Sequence, residues 1–76
     1  MSKLHSLKAR QVIKALLRAE FFIHHQKGSH VHLRHQTKSH LRVTVPYHAK
    51  FDLPASVVKS IINQAEVTVD EFLNLC

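Results

Sequence analysis

Two stretches of strict alternation, one entered through the chain's single glycine, constrain this fold more than any other feature. In Gly28-Ser29-His30-Val31-His32-Leu33-Arg34-His35, Val31 and Leu33 point one way and His30, His32 and Arg34 the other, because successive side chains of a strand leave opposite faces. His40–Pro46 repeats the pattern, with Leu41, Val43 and Val45 against His40, Arg42 and Thr44. Gln36-Thr37-Lys38-Ser39 is a polar turn between the two. Ahead of them, Phe21–Gln26 is a β-rich run that ends in Lys27-Gly28-Ser29, where glycine permits a backbone conformation that other residues resist. Short turns between successive strands imply an antiparallel meander with one dry face and one wet face. Pro46 closes it, since proline cannot donate to a ladder.

Helical spacing flanks the meander. Ala9, Val12, Ile13, Leu16 and Leu17 form one stripe of a helix expected over Lys8–Ala19, with Ser6 as its N-cap. Tyr47–Leu53 reads as a loop, and Pro54 opens a second helix whose stripe is Val57, Val58, Ile61, Ile62 and Ala65. Thr68-Val69-Asp70-Glu71 is a capping box for a short last helix with Val69, Phe72 and Leu73 turned inward. Two amphipathic helices cover one face of a three-stranded sheet. The expected fold is therefore α+β, an α-β-β-β-α two-layer sandwich with a short extra C-terminal helix. Val31, Leu33, Leu41, Val43 and Val45 should be buried against Val12, Ile13, Leu16, Val58, Ile61 and Ile62.

At 76 residues the chain is expected to be one domain over 1–76. Its one cysteine, Cys76, excludes an internal disulfide and suits a reducing cytoplasm. The N-terminal stretch lacks the apolar core of a signal peptide, and no apolar run reaches the ~20 residues of a membrane helix. Charge carries more information. Eleven Lys and Arg against five Asp and Glu give a net charge of +6. No acid lies between Phe21 and Phe51, a tract that holds seven of the eight histidines with Lys27, Arg34, Lys38, Arg42 and Lys50. A basic tract in a small domain predicts a polyanionic partner, nucleic acid first.

The element order with a basic surface is the layout of double-stranded-RNA-binding domains, which says little about function by itself. The residues are more specific. Lys27-Gly28-Ser29-His30, a strand ending Arg34-His35, Val43-Thr44-Val45-Pro46-Tyr47-His48, and Ile61-Ile62-Asn63-Gln64-Ala65-Glu66-Val67 leading to Glu71-Phe72-Leu73 together resemble the HicA family of toxins, also called YcfA-like proteins. The chain departs from the family where it has Glu20 just before the first strand and Ala49 after His48; members often have glycine at both places. The resemblance implies ribosome-independent cleavage of mRNA, growth arrest, a HicB-type antitoxin as inhibitor, and His30 as the functional histidine.

The chemistry of the face agrees with that implication. RNA supplies its own nucleophile, the 2′-hydroxyl, so cleavage asks mainly for a proton acceptor, a proton donor and charge at the phosphate. Histidine titrates near neutral pH and serves as either. Lys27, Gly28, Ser29, His32, Arg34, Lys38, Arg42 and His48 are the expected RNA-binding set, with Arg34 and Arg42 holding phosphate if they flank His30. The second proton-transfer group is open between His32, His48, a lysine and water. His24, His25 and His35 read as structural, with His24 and His25 on opposite faces of their strand. Phe21, Phe22, Phe51, Phe72 and Tyr47 are too few and too apolar in context for base-stacking platforms and read as core or loop anchors. A metal site at His30, His32 and His40 is the rival, disfavoured because the tract has no carboxylate and a concentrated positive field opposes a dication. No cofactor, small-molecule ligand or membrane is expected. Two further readings share the fold: a non-catalytic double-stranded-RNA-binding module, and a protein whose basic face docks an acidic partner. Incubation with a single-stranded transcript separates them.

Overall fold

A computed structural model describes residues 4–48 and 50–76; Ala49 therefore lies outside the described residues. The elements in chain order are β1 (Leu7–Lys8), α1 (Ala9–Arg18), β2 (Phe21–Lys27), β3 (His30–His35), β4 (Arg42–Pro46), β5 (Asp52–Leu53), α2 (Ala55–Ala65) and α3 (Val69–Leu75). β2, β3 and β4 form the antiparallel meander in sequential order. α1 and α2 pack on one side of it, and α3 packs against both helices. This is the α-β-β-β-α two-layer arrangement with the extra C-terminal helix, as in double-stranded-RNA-binding domains.

The alternation in β3 and β4 does what strand geometry requires. Val31, Leu33, Val43 and Val45 are buried, as is Leu41 just ahead of β4. They meet Val12, Ile13 and Leu16 of α1 and Val58, Ile61 and Ile62 of α2 in one apolar core that Phe21 and Phe72 complete. Burying such side chains contributes roughly 1.5–3 kcal/mol each and is the main term holding the layers together. Thr68 caps α3 with a full reciprocal box: its Oγ1 accepts from the Glu71 N–H at 3.1 Å, and Glu71 Oε1 accepts from the Thr68 N–H at 3.0 Å.

Several local expectations are corrected. Residues 47–53 do not remain loop throughout: Asp52–Leu53 pairs with Leu7–Lys8 as a two-stranded antiparallel ribbon. That pairing extends the chain as far as Lys8, which displaces Ser6 as N-cap, and the Gln11 side chain accepts from the Lys8 N–H at 3.0 Å. Pro54 stands as the N-cap of α2 rather than in its first turn. Leu17 is 46% exposed while Ala15 is fully buried. Because α1 packs on α3 as well as on the sheet, its buried arc is rotated toward Ala15 and away from Leu17. His40 is not in the third strand. Residues 38–41 form a turn closed by the Leu41 N–H donating to the Lys38 carbonyl at 3.0 Å, and β4 starts only at Arg42.

Candidate nucleic-acid interface

Strand register arranges the open face as three rows. At one end Lys27, His30 and Pro46 lie side by side; in the middle His25, His32 and Thr44; at the other end Phe22, Arg34 and Arg42. No carboxylate belongs to these nine positions. Each row repeats two strand positions along β3, so the first and third rows stand roughly 13 Å apart at ~3.3 Å per residue.

The first row is built around the turn that joins β2 to β3. Gly28 has φ +58°, the left-handed region that glycine enters without a side-chain clash. The turn is tied to the far strand by the Tyr47 N–H, which donates to the Ser29 carbonyl at 2.6 Å. This bond anchors the backbone just before His30 and leaves the His30 ring in solvent. Among the described residues the His30 side chain makes no hydrogen bond or ion pair. Its nearest cation in the register is Lys27, directly across β2.

The middle row is the most ordered. The His32 ring stacks on His25, with centroids 4.4 Å apart and planes 13° from parallel. His32 Nδ1 is 3.1 Å from Thr44 Oγ1. Partial burial under these neighbours, then the positive charge of His25, His30 and Lys27, lowers the His32 pKa below its ordinary value. His32 is therefore held in the neutral form more firmly than a free imidazole. Around it Arg34, Arg42, Thr44 and His25 line a shallow depression.

Other residues expected at the site are placed elsewhere. Arg34 and Arg42 face each other across β3 and β4 but stand at the far row, so they do not flank His30. Lys38 lies in the turn beyond the opposite end of β3, where its backbone N–H donates to His35 Nδ1 at 3.0 Å. His48 follows β4 and lines a cleft of about 150 Å³ against the start of α1, with Lys8, Arg10, Tyr47 and Phe51. His40, in its turn, has Nε2 3.7 Å from Glu66 Oε2, so His30, His32 and His40 are not brought together.

Two features of the face escaped the alternation rule. A β-bulge between Ile23 and His25 shifts the register of β2, because an extra residue breaks the period of two. His24 and His25 consequently do not part to opposite faces: their Nδ1 atoms are 2.7 Å apart. The bulge also brings His25 onto His32. Phe22, read from sequence as an anchor, belongs to the open face and is 39% exposed, whereas Phe21 is 2% exposed. The doublet Phe21-Phe22 carried that signal, since adjacent strand residues cannot both face the core.

A comparison with family models matches residues 9–67, from the first residue of α1 to just past α2, to the HicA toxin of bacterial toxin–antitoxin systems. No curated protein matches the chain. The match leaves out only the segments before α1 and around α3, and it spans every row of the open face. With the meander, the helices on one side and Lys27-Gly28-Ser29-His30 at the entry to β3, it places this chain in the HicA toxin family.

Proposed function

We propose that this chain, as one HicA-like domain over 1–76, is the toxin of a type II toxin–antitoxin pair. It binds mRNA and cleaves it without the ribosome in the cytoplasm, and a HicB-type antitoxin inhibits it. The observation that carries the reading is His30 itself. Strand pairing with Lys27 and the Tyr47–Ser29 backbone bond position its backbone beside the Gly28 turn, yet its ring has no hydrogen-bond or ion-pair partner among the described residues and is exposed beside Lys27.

In this reading His30 acts as proton acceptor or donor at the scissile phosphate. One group takes the proton of the 2′-hydroxyl, the 2′-oxygen bonds to phosphorus, the P–O5′ bond breaks, and a second group protonates the leaving 5′-oxygen. His32 suits the proton-accepting role better than His48, because it shares the face with His30 and its lowered pKa keeps it neutral; with His32 taking the 2′-hydroxyl proton, His30 is the group that gives a proton to the leaving 5′-oxygen. Lys27 and the N–H groups of Gly28 and Ser29 supply positive potential at the phosphate. Arg34 and Arg42, two rows away at the other end of the face, hold the RNA to one side of the cleaved bond rather than at it.

Purified protein incubated with a single-stranded transcript tests this directly. Cleavage should continue in EDTA, since the attacking hydroxyl belongs to the RNA, and His30→Ala should lower its rate by roughly 10²–10⁴. Full activity in that variant removes His30 from the reaction. RNA binding by the wild type without any cleavage would make the chain a non-catalytic binding module.

A further inference from the structure

The third row of the open face has no role in proton transfer, and its composition is unusual for solvent-facing strand. Phe22 lies level with Arg34 and Arg42 and is 39% exposed. A single exposed phenylalanine means little, but this one continues a line of flat rings. His24 lies 6.4 Å from Phe22 between ring centroids, and the stacked pair His25 and His32 follows. In the same row Arg34 of β3 and Arg42 of β4 follow Phe22 in register.

We infer that Phe22 is a stacking platform for an unpaired base of the RNA, with Arg34 and Arg42 holding the adjoining phosphates. The inference rests on the RNA reading above, but on binding, not on cleavage. Its physical basis is that a sheet bearing exposed aromatic rings among cations offers both things a single strand presents, a base face and a backbone charge. A duplex hides its base faces in the stack and offers only sugar and phosphate. The platform therefore makes the substrate single-stranded, although the fold is that of double-strand binders. An acidic protein surface would satisfy the arginines and leave the ring of Phe22 without a matching face.

The test uses a 2′-O-methyl oligonucleotide, which cannot be cut because its nucleophile is blocked, so binding is read whatever His30 does. The chain has no tryptophan, and Phe22→Trp therefore introduces a single indole at the platform. Its fluorescence should be quenched by the single strand, and neither by a duplex of the same sequence nor by inorganic polyphosphate. Phe22→Ala and Phe22→Leu should each weaken single-strand binding by about 5- to 150-fold, the range for one stacked base. The salt dependence should stay unchanged, since no phosphate contact is lost. Arg34→Ala should instead flatten the salt slope by about 0.7. If Phe22→Leu binds as tightly as wild type, or polyphosphate quenches the indole equally, there is no stacking platform, though the RNA-binding face stands. If Phe22→Ala weakens only binding of the antitoxin, the residue belongs to a protein interface. If the wild type binds no RNA at all, the functional reading fails and this inference fails with it.

Discussion

β3 begins and ends with a histidine, and the two have opposite fates. His30 occupies an odd place on the open face and is exposed; His35, five residues on, falls on the inner face and is buried. The His35 ring meets Phe21 edge-on, with centroids 4.9 Å apart. Its Nδ1 accepts from the backbone N–H groups of Thr37 and Lys38 at 3.2 and 3.0 Å. With Nδ1 accepting, the neutral ring carries its proton on Nε2, and the imidazole acts as a fixed acceptor for a turn. The turns around β2 differ in the same way. At the His30 end the left-handed position is filled by Gly28, whereas at the His35 end it is filled by Glu20, with φ 72°. The Glu20 backbone carbonyl also accepts from the Gln36 N–H at 2.9 Å, so the strained residue is pinned to the residue that follows β3. Strand parity, not residue type, separates a histidine free for chemistry from one committed to structure.

Exchanging the consequences of the two histidines is the strongest way to break this comparison. His30→Ala should lose most cleavage, by the factor given above, with a melting temperature close to wild type, because an exposed strand residue contributes little to the core. His35→Ala should do the reverse. It should cost about 1–3 kcal/mol, since two backbone donors lose their acceptor in a half-buried turn, while activity measured well below the melting temperature persists. Chemical denaturation of both variants checks this; equal destabilisation would show that the two ends do not differ in kind.

The contrast between the turns predicts a smaller effect. Glu20→Gly should stabilise the protein by up to about 1 kcal/mol, because a left-handed backbone opposes any side chain. For a domain of this size that is a rise in Tm of about 4–8 °C or less. A fall in Tm would show that the Glu20 side chain contributes more than its backbone conformation costs. The smallest effect lies midway along the strand, at His32. Its pKa is depressed in the folded state, so the folded protein binds fewer protons there than the unfolded chain. Its contribution to stability is complete above the ordinary value of 6.5. It declines as pH falls below that value, and it levels off under the folded-state pKa. Titration of the His32 ring protons by NMR should give a midpoint below that of an unstructured histidine; a midpoint at or above it overturns the account.

Much of this was legible in the residues. The two alternating strands, the helix stripes and the capping box at Thr68 identify the α+β layers. The motif around Gly28 and His30 carries the family, because each signal is local and repeats with the period of its own element. What only the tertiary structure decided depends on how elements meet. Packing of α1 on α3 turned Leu17 outward, and the Lys38–Leu41 turn removed His40 from the face. The pairing of β1 with β5 set the start of α1. The bulge in β2 stacked His25 on His32, a contact between residues seven apart that no alternation foretells. Distance along β3 placed Arg34 and Arg42 two rows from His30, where a list of cations would have gathered them at one phosphate. Period and propensity act within one segment, but register, bulges and neighbours are settled only when segments compete for the same core.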